Sequence, residues 1–279
     1  MALIAIDMDG TLINSKHQIP KENIESIQAA QKEGIHVVIS TGRMYESAKE
    51  SLDEVGLTCP IICLNGSKIY DQNANLLYND SMKKDVFAKA IALCEEGDKT
   101  FIVSTSAGSF TKSRDILFER FFTDKKTGKV HKLTSTLRNI RTYSSIEDFS
   151  ELDVYKILFL SKDQELINRM RTKLMEEEHL LITSSNTNNI EINAANVSKG
   201  AALLKFAPIL GVDLKESMAI GDSFNDLSMF NRVGFSVAMG NAKEELQRQC
   251  SFVTKTNDEA GVAHAIYHFL DQKQKMKQT

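Results

Sequence analysis

The chain opens MALIAIDMDGTLINS, an apolar run that ends in two aspartates one residue apart, Asp7 and Asp9. Alternate residues of a strand share a side, so two carboxylates there repel unless positive charge sits beside them. A hard cation bound by oxygen ligands answers that repulsion, and a carboxylate at a strand end can also act as a nucleophile. Three further polar segments suit the same chemistry: STGR at 40–43, SKG at 198–200 and GDSFNDLSM at 221–229. Asp222 offers a third acidic group for Mg²⁺ beside Asp7 and Asp9. Gly10 permits the tight turn by which Asp9 leaves the strand and reaches a departing atom. Thr41 offers a hydroxyl and Gly42 an uncrowded N–H to phosphate oxygens, while Lys199 adds charge at a helix start where the backbone dipole already favours anions. The combination predicts a site that handles a phosphoryl group.

Strands must carry these segments. LIAID, HVVIS, PIICLNG and SMAIGD read as buried strands, with a helix from Pro20 to Gly34 that has Ile24, Ile27 and Gln31 on one stripe. SKIYD and LLYN, joined by QNAN, read as a hairpin. In an open parallel sheet ligands bind outside the carboxyl ends of the strands, where DMDGT, STGR and GDSFNDLSM all fall. Residues 82–189 have another texture. A helix bearing Val86, Phe87, Ala90, Ile91 and Cys94 precedes strands at FIVSTS, SFTKS and VYKILFLS, a helix over 163–178, and closing strands at LLITSS and NIEIN. That order predicts an α+β sheet with helices on one face. The fold expected is α/β, a Rossmann-like parallel-sheet core (1–81 and 190–279) interrupted by an inserted α+β domain (82–189). The tail DQKQKMKQT reads as frayed.

Composition excludes several classes. The formal charge is −3, from 34 basic and 37 acidic residues, so no global basic field attracts nucleic acid or an anionic membrane. No segment approaches the roughly 18 apolar residues that span a bilayer, and the N-terminal apolar run lacks the basic flank of an export signal. Cys59, Cys63, Cys94 and Cys250 are too scattered for a zinc ribbon and read as core thiols of a reducing cytosol. His264 and His268 lie one helical turn apart with no third ligand nearby, which suits a packed face better than zinc. The expectation is a cytoplasmic protein, monomeric or weakly dimeric, that binds neither nucleic acid nor membrane.

In order and spacing, DMDGT, STGR, the SKG lysine and GDSFNDLSM resemble the four motifs of the haloacid dehalogenase superfamily of phosphohydrolases. The insertion resembles the class IIB cap, and IEINAANVSKG followed by GDSFNDLSM is similar to the Cof-type sugar phosphatases. The resemblance implies Asp7 as a nucleophile that becomes an aspartyl-phosphate and Asp9 as general acid and base. It implies Mg²⁺ on the Asp7 carboxylate, the Asp9 main-chain carbonyl and Asp222, with Asp226 orienting the metal's water shell. Phosphate would be held by the Met8 N–H, Thr41, Gly42, Lys199 and Asn225. Arg43 either touches substrate or braces the phosphate loop by pairing with a carboxylate. The function implied is a Mg²⁺-dependent phosphatase of small phosphorylated metabolites, sugar phosphates foremost. A phosphomutase needs the same nucleophile and acid. A phospho-acceptor signalling module also stores phosphate on an aspartate, yet leaves Asp9 and the cap unexplained. Residues 111–141 carry nine Lys or Arg against three Asp or Glu. Lys125, Lys126 and Lys129 are therefore either a solvated run or contacts for an anionic substrate tail.

Overall fold

The computed structural model describes residues 1–96, 100–123 and 138–277, so Lys125, Lys126 and Lys129 lie outside the described residues. The chain forms two compact units, Met1–Asn79 with Ser198–Thr279, and Asp80–Val197. The expected boundary at 189/190 would cut the strand Asn189–Ala194, which belongs wholly to the inserted unit, where it pairs with two neighbours. The second junction therefore lies at 197/198.

The first unit is built on an eight-stranded sheet. β1 (Leu3–Ile6), β2 (His36–Ser40) and β3 (Ile61–Cys63) continue into the antiparallel hairpin β4 (Lys68–Tyr70) and β5 (Leu76–Asn79) on one side. On the other side of β1, in parallel, lie β12 (Met218–Gly221), β13 (Phe235–Ala238) and β14 (Phe252–Val253). β1 is central and buried along its whole length, which explains its unbroken LIAI: a strand covered on both faces has no solvent side to make polar. Ile4 and Ile6 pack on one face with Ile27, Ile39, Ile220 and Ile266, and Leu3 and Ala5 on the other with Val38, Leu203 and Phe206.

The Lys21–Lys32 helix buries Asn23, Ser26, Ile27 and Ala30 but leaves Gln31 exposed, against the expected stripe. Asn23 is buried because its amide serves two backbone groups, donating to Leu12 O at 3.3 Å and accepting from Ala263 N at 3.0 Å. The last helix runs Gly261–Lys277, past the point where fraying was expected, and Lys273 ties it to Glu216 at 3.0 Å.

The inserted unit is a six-stranded sheet in the order β10-β11-β9-β6-β7-β8, mostly antiparallel. Its strands are β6 (Phe101–Thr105), β7 (Gly108–Thr111), β8 (Arg141–Thr142), β9 (Val154–Leu160), β10 (Leu180–Thr183) and β11 (Asn189–Ala194). The helices Lys84–Glu96 and Gln164–Met175 bury Val86, Phe87, Ile91, Ile167 and Met170 with Phe101, Ile157, Phe159 and Ile190, as helices on one face require. All four cysteines are free. No helix among the described residues is long and apolar enough to cross a membrane.

Candidate active site

β1 delivers Asp7 to its carboxyl end, where the chain turns back on itself. Leu12 N donates to Asp7 O at 3.2 Å and Ile13 N to Met8 O at 2.9 Å, so the loop after β1 is a compact hook. Gly10 sits in it at φ +80°, and a Cβ there would lie 2.5 Å from Asp222 Oδ2. The glycine of DMDGT is thus required twice, by backbone conformation and by the close approach of Asp222. Thr11 fixes that approach by donating from Oγ1 to Asp222 Oδ1 at 3.0 Å.

Lys199 enters from the first position of the Lys199–Leu210 helix, whose cap Ser198 accepts from Ala201 N at 3.1 Å. A cation at a helix N-terminus opposes the macrodipole and needs anions in front of it. It has two: Nζ lies 2.6 Å from Asp7 Oδ1 and 2.6 Å from Asp226 Oδ1. The helix reaches this position because Gly200 has no side chain; a Cβ there would lie 1.9 Å from Ser228 O. Asp226 is fully engaged, its Oδ1 by Lys199 and its Oδ2 by the N–H groups of Asp222 and Ser223, each at 3.0 Å. Asn225, buried beside it, accepts from Ser223 Oγ at 2.6 Å.

Asp7, Asp222 and Asp226 each present a carboxylate oxygen, all within 4.8 Å of one another. Burial raises the Asp7 carboxyl well above the usual carboxylate range; Lys199 opposes the shift, while Asp226 and Asp222 add to it. Asp222 is pushed up to about 7 by burial and by the Asp226 charge. Burial works against the Lys199 ammonium, but Asp226 and Asp7 outweigh it and hold the proton more firmly than in free lysine. Two buried carboxylates and a half-buried third around one ammonium form an electron-rich pocket short of positive charge.

The segment after β2 completes the group. Thr41 is buried and donates its N–H to Ile62 O at 2.8 Å, with its Oγ1 accepting from Arg43 N at 3.1 Å. The Arg43 side chain, 15% exposed, grips Asp9 bidentately, Nε to Oδ2 at 2.7 Å and Nη2 to Oδ1 at 2.5 Å. Of the two roles open to Arg43 in the sequence, the structure therefore has it paired with a carboxylate. Its Nη1 donates to Ser51 Oγ at 3.1 Å, and Ser51 donates to Ser47 O at 3.3 Å on the Tyr45–Asp53 helix. Burial disfavours the guanidinium charge, but Asp9 more than restores it.

Asp7, Thr11, Lys199, Asp222, Asn225 and Asp226 thus form one bonded group, with Asp9 on the same loop turned onto Arg43. Sequence reasoning passed over Thr11, although it stands inside DMDGT, and Ser51, which only a helix eight residues after Arg43 presents. His264 stacks on Phe252 with its Nδ1 2.9 Å from Thr254 Oγ1, and His268 stacks on the same ring.

The family model of haloacid dehalogenase-like hydrolases matches residues 4–266. The chain is 34% identical to Phosphatase YwpJ of Bacillus subtilis over 97% of its own length and 100% of that protein's. It is 32% identical to the 5-amino-6-(5-phospho-D-ribitylamino)uracil phosphatase YcsE of Bacillus subtilis, over 96% of this chain and 95% of that one. A solved haloacid dehalogenase-like hydrolase from B. subtilis superposes with a TM-score of 0.84 at 33% identity, covering 96% of this chain and 99% of its own.

Proposed function

Because this chain belongs to the haloacid dehalogenase-like hydrolases, we propose that it is a class IIB phosphatase that hydrolyses small phosphorylated metabolites through a covalent aspartyl-phosphate on Asp7. The observation that carries this reading is the buried Asp7 carboxylate, held 2.6 Å from Lys199 at the carboxyl end of the central strand. Lys199 fixes the orientation of the nucleophile and leaves its second oxygen for attack on phosphorus. As the Asp7 oxygen–phosphorus bond of the acyl phosphate forms, the bond from phosphorus to the leaving oxygen breaks, and Asp9 in its protonated form gives that oxygen its proton. Asp9 then takes a proton from water, which attacks the phosphoenzyme, releases phosphate and regenerates Asp7. The Met8 N–H, Thr41, Gly42 and Asn225 bind the non-reacting phosphoryl oxygens, with Lys199 supplying charge to them. Arg43 sets the rotamer of Asp9, backed by Ser51.

The donor set fits Mg²⁺: hard carboxylate oxygens, close together, with too little positive charge among them. Asp7, Asp222 and the Asp9 main-chain carbonyl would hold it, while Asp226, whose oxygens are already taken, orients its surroundings. When bound, the cation neutralises charge on the transferring phosphoryl group.

Phosphorylated sugars and sugar alcohols are the proposed substrates, a class supported by the ribityl phosphate named for the YcsE relative. The inserted domain is proposed to choose among them. Free thiols and a charge of −3 support a cytoplasmic protein that needs neither nucleic acid nor membrane, proposed here as a monomer or weak homodimer. The test is release of inorganic phosphate from a panel of phosphorylated metabolites, with Mg²⁺ and with chelator. Mg²⁺-dependent release from sugar or polyol phosphates is expected, and release undiminished by chelator would overturn the metal assignment.

A further inference from the structure

The hook that carries Asp7 and Asp9 is gripped from outside by two asparagines that lie far along the chain. Asn241, in the turn after β13, donates from Nδ2 to Gly10 O at 2.9 Å, and its Oδ1 accepts from Asn257 N at 3.0 Å. Asn257 in turn donates from Nδ2 to Ile13 O at 3.0 Å. Just beyond, Asp258 Oδ1 accepts from Ser15 N at 2.9 Å.

The gripping segment is itself stiff. Thr256 and Glu259 close a capping box around Asn257–Glu259, and Gly240 N donates to Lys255 O at 3.0 Å. Inside the hook, the amides of Thr11, Leu12 and Ile13 all point inward, to Met8 O or Asp7 O. The Gly10 carbonyl faces outward and is held by Asn241. On its other side Gly10 abuts Asp222, with no room for even a methyl group. The Gly10 carbonyl belongs to the Gly10–Thr11 peptide, so moving it moves Thr11, whose hydroxyl holds Asp222, and the Gly10 surface against which Asp222 rests.

We propose that Asn241 is a positioning residue for the phosphoryl-transfer site: its Nδ2–H···O=C bond to Gly10 fixes the separation between the Asp7–Asp9 hook and Asp222, and so the metal-binding geometry. The inference rests on the functional reading above. It follows from where the bond acts rather than from its strength. A single exposed amide bond contributes little to stability, yet a displacement of about 1 Å in a reacting group can cost a factor of about 10² in rate.

Asn241→Asp is the informative variant. It is isosteric and keeps an oxygen for Asn257 N, but it cannot donate to Gly10 O and sets a negative charge against it. Two readouts are compared with the wild type: kcat and KM for p-nitrophenyl phosphate, and the Mg²⁺ dissociation constant from calorimetry, with the Mg²⁺-dependent rise in Tm beside it. Asn241→Asp and Asn241→Ala should both lose about 10- to 100-fold in kcat, keep KM, and bind Mg²⁺ several-fold more weakly. Asp258→Asn, which retains an acceptor for Ser15 N, should match the wild type in every readout. If Asn241→Asp matches the wild type while Asn241→Ala does not, the Asn257 contact is what matters and the proposal is overturned. It is equally overturned if both variants bind Mg²⁺ normally, or if Asp258→Asn is impaired to the same degree. Should Asn241→Asp not fold, Asn241→Ala decides by the same two readouts. A wild type that neither binds Mg²⁺ nor turns over the aryl phosphate would sink the functional reading itself, and the inference with it.

Discussion

Asp7 and Asp222 hold their protons too tightly for carboxylates, and the cause is concrete: burial beside Asp226 with a single ammonium to share. The folded value of Asp222 lies above the unfolded one, so its contribution to stability is full below the unfolded value of 3.8 and is lost as pH rises toward about 7, and Asp7 shifts in the same direction. In chelator, Tm should fall across that window. With saturating Mg²⁺ the fall should shrink, because the cation prefers the ionised carboxylates, and Asp222→Asn should flatten the chelator curve. Parallel curves with and without Mg²⁺ would contradict a cation at these oxygens. Asp7→Asn keeps the shape of the side chain but removes the nucleophile, so turnover should vanish while the fold persists. Protein quenched in acid after exposure to radiolabelled substrate should carry label at Asp7. Arg43 separates two mechanisms. If it sets Asp9 rather than holding phosphate, Arg43→Gln should slow alkyl phosphates, whose leaving oxygen needs a proton, by up to about 10²-fold more than aryl phosphates. Equal losses with raised KM for both would make Arg43 a phosphate ligand.

The element that matters most is the Lys199–Leu210 helix, which reaches the site only because Gly200 lets it touch the backbone at Ser228. Gly200→Ala adds one methyl group where the gap is 1.9 Å. Overpacking of this kind costs about 1 to 3 kcal/mol, so Tm should drop by several degrees and kcat should fall as Lys199 withdraws from Asp7. An unaltered melting curve would mean that the helix and the Ser228 backbone part without cost. The sequence made this helix legible because Ser, Lys and Gly stand in N-cap order ahead of an apolar run, and made the strands legible because buried parallel strands are uniformly apolar. Other features depend on contacts that no local pattern encodes. Asn241 meets Gly10 across 231 residues, and Thr11 meets Asp222 across 211. NIEIN reads from the sequence as a closing strand of the inserted domain, but a boundary at 189/190 falls at its first residue, and the pairing of the whole strand with β9 and β10 carries the junction on to 197/198. Spacing alone puts Gln31 on the buried stripe, whereas the polar residues the helix buries are Ser26 and Asn23, the latter bonded to Leu12 and Ala263.

Each unit of the molecule has a core of its own. The clusters around Ile4 and around Leu3 draw only on residues of the first unit, and those around Phe101 and Ile102 only on the second. Domains with separate cores can be exchanged without unmaking each other, which makes selectivity open to direct test. The groups proposed for catalysis, Asp7, Asp9, Thr41, Lys199 and Asp222, all belong to the first unit, and on that proposal they act on the phosphoryl group that every substrate shares. They have no means of telling one phosphate ester from another, so discrimination must come from residues outside that set. The inserted unit has suitable chemistry in β9 and β11. Ile157, Phe159, Ile190 and Ile192 pack toward the helices, and strand alternation turns Lys156 and Glu191 to the opposite face. Both are buried, with Lys156 Nζ 3.7 Å from Glu191 Oε2 and Ser185 Oγ donating to Glu191 Oε1 at 2.7 Å. Replacing residues 80–197 with the corresponding insertion of YwpJ should therefore reorder kcat/KM across a panel of sugar and polyol phosphates while p-nitrophenyl phosphate is hydrolysed at a rate close to that of the parent. Lys156→Met should move the same ranking within the native domain, again sparing the aryl ester. A chimera that melts cooperatively yet keeps the parental substrate order would return selectivity to the first unit.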